Sequence, residues 1–374
     1  MQANREGLDG MSTTTPQTSV MALHNNTVAQ QQPARFKSPL KENRAHFVAA
    51  HVAVLLGVHA LALLSFVPWL FSWSGLIACL VGIYAFGVMG INIGFHRLLT
   101  HRSFECSKWV EHALALLGIC CLQGAPSRWV ALHRIHHQYS DSEEDPHTPL
   151  VSFLWAHFEW IMTEDKNRYW LMTYDKYAPD MIRDKFYLAM DRKGLWFFVY
   201  VLHAAAFFVV GFTGGWLLPG GSLAQAVQLG SSWLVWGVLA RTVLVWHFTW
   251  SVNSLTHMTG YRNYETNDES KNNWFVALMS HGEGWHNNHH ADPRSAAAGH
   301  RWWELDVSYL IIRVLGAMKL VSGIVPVRTK VANRYGPDAK RQPKNEASET
   351  MIAGSTLPSR GMDDAGDVRQ SRAA

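Results

Sequence analysis

Charge is what this 374-residue sequence has least of for its size. Asp, Glu, Lys and Arg supply 17% of it, against about a quarter in an ordinary soluble domain. Cysteine is scarce too: Cys79, Cys106, Cys120 and Cys121 form no C-x-x-C pair. That argues against a disulfide framework or a thiolate zinc ribbon, and the four read as reduced packing residues. The first residues lack the charged start, apolar core and small-residue cleavage site of a signal peptide. No H-E-x-x-H occurs, which removes the zinc-protease class. A net charge of +4 is too mild to argue for nucleic acid and suits a membrane surface better.

Apolar and aromatic residues are abundant, with 17 Trp and 17 Phe. They concentrate in four runs, residues 47–71, 73–95, 195–218 and 223–250, where Arg241 is the one Lys, Arg, Asp or Glu. Runs of this length cross a hydrocarbon core of about 30 Å as helices. The expected fold is therefore all-α and integral to the membrane. Four transmembrane helices are capped by a helical domain built from residues 96–193 and 254–327, within one domain spanning 45–327. Residues 110–126 are apolar but short and carry Glu111, the pattern of a re-entrant or in-plane helix. Residues 302–325 read as an amphipathic surface helix with Arg313 and Lys319 on its polar side. The polar ends, residues 1–44 and 328–374, are expected to be disordered. The two turns at 68–75 and 214–226 hold no Lys or Arg, so the positive-inside rule puts the capping domain in the cytoplasm.

Histidine carries the chemistry. His133, His136 and His137 (HRIHH) and His286, His289 and His290 (HGEGWHNNHH) each sit at i, i+3 and i+4, one face of a helix. His96 and His101 (HRLLTH) are five apart, which a straight α-helix would splay, so the helix is expected to end or bend there. Eight clustered imidazoles are too many for one zinc and suit two metals. The clusters contain no carboxylate, unlike soluble di-iron bundles with their Glu and Glu-x-x-His ligands. Asp141, Glu144, Asp145 and Glu283 stand close enough in sequence to orient the rings, with no means of choosing among them.

The ordered set H-x4-H, H-x2-H-H, H-x2-H-H between apolar runs resembles the membrane fatty acyl desaturases. The phrases GEGWHNNHH, HRLLTHRSF and the DPH after the second cluster are similar to the Δ9, stearoyl-type branch, over roughly residues 45–325. Asn253 and His257 (NSLTH) match that family's Asn-x-x-x-His. The resemblance implies metal ligands at His96, His101, His133, His136, His137, His257, His286, His289 and His290, with Asn253 reaching metal through water. It implies two iron ions, O2 as co-substrate, and a cis double bond at C9–C10 of a saturated acyl chain. His147, His157 and His281 lie outside the ligand pattern and read as supporting residues.

A narrow apolar tunnel for the acyl chain is expected among the spans, touching Tyr84, Val88, Trp129, Arg241 and Trp250, with Tyr84 as its floor and Arg241 read either as a hydrogen-bond donor beside it or as a polar anchor. Animal acyl-CoA enzymes of the resembled family carry Arg-Asp just before the second cluster. Ala131 and Leu132 stand there instead, which favours a lipid-esterified chain over acyl-CoA. No His-Pro-Gly-Gly haem motif is present, so electrons are expected from a separate donor of ferredoxin or cytochrome b5 type with its reductase. Arg97, Arg102, Lys108, Arg128 and Arg134 are candidates for its docking surface or for lipid head-group contact. Three alternatives share some of these features: a related membrane hydroxylase or ketolase, a metal transporter, and a structural zinc module.

Overall fold

Four helices are long and apolar enough to cross a bilayer in the structure, a computed structural model that describes residues 35–166 and 168–329. Most of the two tails expected to be disordered lies outside the described residues. The stretch 36–44 does not: Phe36 N donates to Leu150 O, and Lys166 N donates to Arg44 O. Strand β1 (Ala45–Phe47) follows and later pairs antiparallel with a second short strand.

Helix α1 (Ala49–Ala62) tightens into a 3-10 turn, Leu63–Phe66, and Pro68 ends it because proline cannot donate to a continuing helix. Ser72 Oγ accepts from Gly75 N and so caps α2 (Trp73–Gly82). The same helix then runs on through π-helical turns, Ile83–Thr100. It continues five residues beyond the predicted end, because apolarity stops at His96 while the backbone bonding does not. In turns closed by i→i+5 bonds, residues five apart stand one above the other. His101 N donates to His96 O at 3.2 Å, and the two rings, which α-helical turns would splay by about 140°, sit 4.8 Å apart.

Strand β2 (Glu105–Cys106) leads to α3 (Lys108–Ile119), the predicted re-entrant helix. It packs against the π-helical stretch so closely that a Cβ at Gly90 would stand 2.3 Å from Gly118 N. The cavity-lining loop beyond α3 leads to α4 (Pro126–Tyr139), followed by α5 (Phe153–His157) and strand β3 (Thr163–Asp165), the partner of β1. Three short helices, α6 (Trp170–Tyr177), α7 (Pro179–Ile182) and α8 (Lys185–Arg192), precede the apolar hairpin. The hairpin is α9 (Leu195–Leu217) and α10 (Leu223–Leu234), and α10 passes through π turns, Val235–Ala240, into α11 (Arg241–Met258). The composite fourth helix has 36 residues, about 54 Å at 1.5 Å per residue. That length exceeds the thickness of a bilayer core by several turns. Helices α12 (Trp274–Met279), α13 (His286–Ala291) and α14 (Val307–Ala317) complete the fold, and β4 (Val321–Ser322) pairs with β2.

Arg241 takes the anchoring role of the two readings open to it, and not a place beside the tunnel. It is fully buried and does not line the cavity described below. Its Nη2 donates to Cys120 O at 3.0 Å, and Trp246 Nε1 donates to Cys121 O at 2.8 Å. These are the carbonyls at the C-terminal end of α3, which stops inside the apolar packing. Helix ends leave carbonyls without partners and carry partial negative charge. An unsatisfied one in a hydrocarbon setting costs several kcal/mol. The guanidinium also lies over the Phe86 ring at 4.3 Å.

The glycine contacts generate a paired test. A Cβ at Gly57 meets nothing within 4 Å, whereas one at Gly90 meets α3 backbone. Gly90→Ala is expected to destabilise by about 1–3 kcal/mol or more. Gly57→Ala should be neutral or stabilising by up to about 1 kcal/mol. Thermal melts in detergent read both, and equal midpoints would contradict the packing of α3 on the π-helical stretch.

Candidate metal centre

All nine predicted imidazoles come together, in two clusters. His96, His101, His133, His137 and His289 form one; His136, His257, His286 and His290 form the other. Within each cluster the candidate donor nitrogens lie within 4.8 Å of one another. Helix α4 supplies both clusters because His133 and His137 fall on one side of it and His136 on the next.

The nitrogens face each other in a way that protons alone do not explain. His96 Nε2 is 3.0 Å from His289 Nε2, which is 3.0 Å from His137 Nε2, which is 3.1 Å from His133 Nε2. In the second cluster His286 Nε2 is 3.1 Å from His257 Nε2. The opposite ring nitrogens are engaged by carboxylates. His96 Nδ1 is 2.7 Å from Glu283, His136 Nδ1 3.1 Å from Asp145, His257 Nδ1 2.9 Å from Asp141 and His290 Nδ1 2.6 Å from Asp268. A neutral ring that donates from Nδ1 presents a lone pair at Nε2. The buried Nε2 atoms of His101, His136 and His290 have no hydrogen-bond partner among the described residues. Converging lone pairs are what a cation requires, and two nitrogens about 2.1 Å from one metal stand about 3.0 Å apart at a right angle and about 3.4 Å apart at the tetrahedral angle. The donor set therefore fits metal.

Electrostatics keep five of the rings in the ligating form, while at His257 burial pulls the value down and Asp141 more than offsets it, raising it. Burial, reinforced by the neighbouring imidazoles, pushes His101, His133, His137, His286 and His289 well below the ordinary histidine value of 6.5. Burial alone would raise the Glu283 carboxyl, but Arg97 and His96 hold it down at about 2. Burial likewise opposes ionisation of Asp268 and Asp145, and their histidine partners win, holding both well below the usual carboxylate range. Arg97 is itself buried between Glu283 and Asp306, at 2.8 and 3.0 Å.

The third cluster's sequence explains its rigidity. Gly282 sits at φ +118, and a Cβ there would meet Asp306 Oδ1 at 2.5 Å. The two asparagines between the histidines of α13 point into amide networks. Asn288 Oδ1 accepts from Asn263 and Asn272, and Asn287 Oδ1 accepts from the backbone of Asn263 and Tyr264. Of the four carboxylates named from sequence, Asp141, Asp145 and Glu283 orient rings. Glu144 instead accepts from Ser142. Asp268 was missed, since it lies 22 residues from its partner His290 and no local pattern links them.

A cavity of about 570 Å³ runs past the clusters, with His96, His133, His147, His286 and Asn253 in its wall. Asn253 is one turn before His257 on α11, and its amide makes no hydrogen bond among the described residues. Val88, Trp129 and Trp250 line the cavity as expected. Tyr84 does not: it is half-exposed and meets the His281 ring at 4.8 Å, while Ile83, Gly87 and Ile91 take the inward positions. A hydrogen-bonded ridge that sequence reading missed joins three lining residues. Trp129 Nε1 donates to Gln123 Oε1 and Gln123 Nε2 donates to Thr249 Oγ1, each at 3.1 Å.

The five basic residues considered for donor docking are taken up elsewhere. Arg102 and Arg134 pair with Asp180, Lys108 with Glu111 and Asp184, Arg128 with Glu164, and Arg97 as above. They form no unpaired basic patch.

Comparison with known proteins places these features. The profile of a family described as fatty acid desaturase matches residues 71–313. The chain is 41% identical over 73% of its length to 88% of the sn-2 palmitoyl-lipid 9-desaturase of Nostoc sp. (strain 36). It is 38% identical over 72% of its length to 90% of the sn-1 stearoyl-lipid 9-desaturase of Anabaena variabilis. An acyl-CoA C20 Delta5-desaturase of Anemone leveillei is 37% identical over 73% of this chain and 80% of its own.

The buried neutral imidazoles set a pH dependence for the metal-free protein. Below 6.5 the unfolded chain takes up protons that the folded clusters refuse. The unfolded state then binds more protons, so stability falls as pH drops through this range. After chelation, the thermal midpoint is expected to fall steadily from pH 7 to pH 5. A midpoint flat over that interval would contradict neutral buried clusters.

Proposed function

The chain belongs to the fatty acid desaturase family, and from that premise we propose that it is a membrane enzyme placing a cis double bond at C9–C10 of a lipid-esterified saturated acyl chain. The reaction takes O2 and two electrons. The five-imidazole cluster and the four-imidazole cluster with Asn253 would each hold one iron ion. When bound, the iron pair supplies the O2 chemistry that an unactivated methylene demands, since an aliphatic C–H has no acidic proton for a side chain to remove. An all-nitrogen donor set suits redox iron and lacks the carboxylate ligands of soluble di-iron bundles.

One observation carries the reading: an apolar cavity whose wall contains histidines of both clusters. Val88, Ile91 and Leu132 offer the methylenes a dry, fixed path. The ridge of Trp129, Gln123 and Thr249 gives that path a rigid polar edge, which would hold the chain in register beside the clusters. The carboxylates behind His96, His136, His257 and His290 keep each Nε2 lone pair aimed inward. The relatives' printed activities favour desaturation over hydroxylation. Clusters at helix ends count against a transporter, whose ligands sit at mid-membrane. We take the four long helices as spans, with the clusters on the cytoplasmic side, because both opposite turns lack Lys and Arg. Electrons come from a separate carrier with its reductase.

Two measurements follow. Cells expressing the chain should accumulate fatty acids unsaturated at C9, and those expressing His289→Ala should not, with iron in the purified variant lowered while the protein still inserts. Unchanged desaturation in His289→Ala would sink the assignment. The chain-length limit is the second. Gly87 lines the cavity, and a Cβ there would stand 3.0 Å from Val245 Cγ2. Gly87→Leu is expected to shift preference toward shorter acyl chains with the bond position unchanged, and Tyr84→Ala to leave the profile alone. The opposite pattern in product analysis would return the floor to Tyr84.

A further inference from the structure

One end of the cavity is a polar mouth, where the side chains of Arg128, Glu164 and Asp165 are 29%, 32% and 39% exposed, and its charges are already matched. Arg128 and Arg168 are the two guanidiniums in that part of the wall. Arg128 Nη1 is 3.3 Å from Glu164 Oε1, and its guanidinium lies 4.3 Å from the Trp170 ring centre. Arg168 Nη2 is 4.0 Å from Asp165. A third carboxylate, Asp191, lines the same region and accepts from Tyr174 OH at 3.2 Å. Lys166, beside Asp165, is bonded to the side-chain oxygen of Asn43 and is not in the wall. Glu164 and Asp165 are fixed in place by strand pairing, opposite His46 and Ala45 of β1.

Among the described residues of this wall two cations thus meet at least two carboxylates, and they leave no positive excess whichever protonation state Asp191 holds. A binding site for a multiply phosphorylated carrier needs the reverse, unpaired guanidiniums or ammoniums aimed at phosphate. Bringing several negative charges beside Glu164, Asp165 and Asp191 would be repulsive and would break both existing pairs. Carboxylates and the Trp170 and Tyr174 rings are instead good partners for hydroxyls, amines and sugar C–H faces.

We propose that this mouth selects acyl lipids whose head group carries no net charge, and that Glu164 and Asp165 are the residues that discriminate against acyl-CoA and anionic phospholipids. The inference rests on the acyl-lipid desaturase reading and specifies its substrate class. The matched set of probes is distearoyl monogalactosylglycerol, distearoyl phosphatidylcholine, distearoyl phosphatidylglycerol and stearoyl-CoA.

Binding of each probe to the full-length purified holoprotein, measured by native mass spectrometry, is the test. The two neutral-headed lipids should bind at least tenfold more tightly than phosphatidylglycerol and stearoyl-CoA. Glu164→Lys combined with Asp165→Lys should shrink that gap below threefold by strengthening binding of the anionic probes. Should the doubly reversed protein fail to fold, raising salt with the unaltered protein should narrow the gap from the anionic side, since screening weakens the repulsion. Equal or tighter binding of stearoyl-CoA or phosphatidylglycerol by the unaltered protein overturns the proposal. The underlying reading is scored separately: absence of C9-unsaturated products from expressing cells would remove the desaturase assignment, whatever the binding order.

Discussion

The whole structure answers one demand: nine basic rings must stand together with lone pairs converging. Such an arrangement is unstable by itself. Imidazoles packed at 3.0 Å repel when protonated and leave unsatisfied nitrogens when not. The chain resolves this from outside the clusters, with four carboxylates that fix which nitrogen bears the proton. Those carboxylates need their own support. Arg97 holds Glu283 and Asp306 together, and Asp306 also caps α14 and accepts from Ala298 N. The clusters are therefore tied to the elements that enclose them through chains of charge-assisted hydrogen bonds.

Much of this was legible in the sequence, and the reason is local periodicity. The i, i+3, i+4 triplets and the four apolar runs are short-range patterns, and each corresponds to a helix in the fold. The pair His96 and His101 was legible only as a puzzle, since α-helical geometry separates them and it takes π-helical turns to stack them. Nothing in HRLLTH announces that winding. Partners far apart in the chain were out of reach: Asp268 for His290, Asp180 for Arg134, Thr249 for Gln123. Each of those pairings depends on how helices lie side by side.

The differences share that origin. Tyr84 was placed inward by counting turns back from His96, but which face of a helix looks into a cavity depends on its neighbours. The basic residues around the first two clusters look like a docking surface in one dimension. In three dimensions each already has an acidic partner. Arg241 looked like a tunnel residue because a charge in an apolar run invites a functional reading. Its partner carbonyl is 121 residues away, on a helix whose end inside the apolar packing could be suspected from sequence but not located.

That separation bears on how the protein is made. A guanidinium entering a membrane without a partner costs a few kcal/mol on insertion scales. Synthesis runs from the N-terminus, so α3 and its open carbonyls are complete long before Arg241 leaves the ribosome. The acceptor is waiting when the donor arrives. Arg241 can act as a latch that closes last, drawing the fourth helix against the re-entrant one as it inserts. The chain's linear order is then part of its assembly, and a circular permutant that placed α11 ahead of α3 would have to insert the cation without its α3 acceptor.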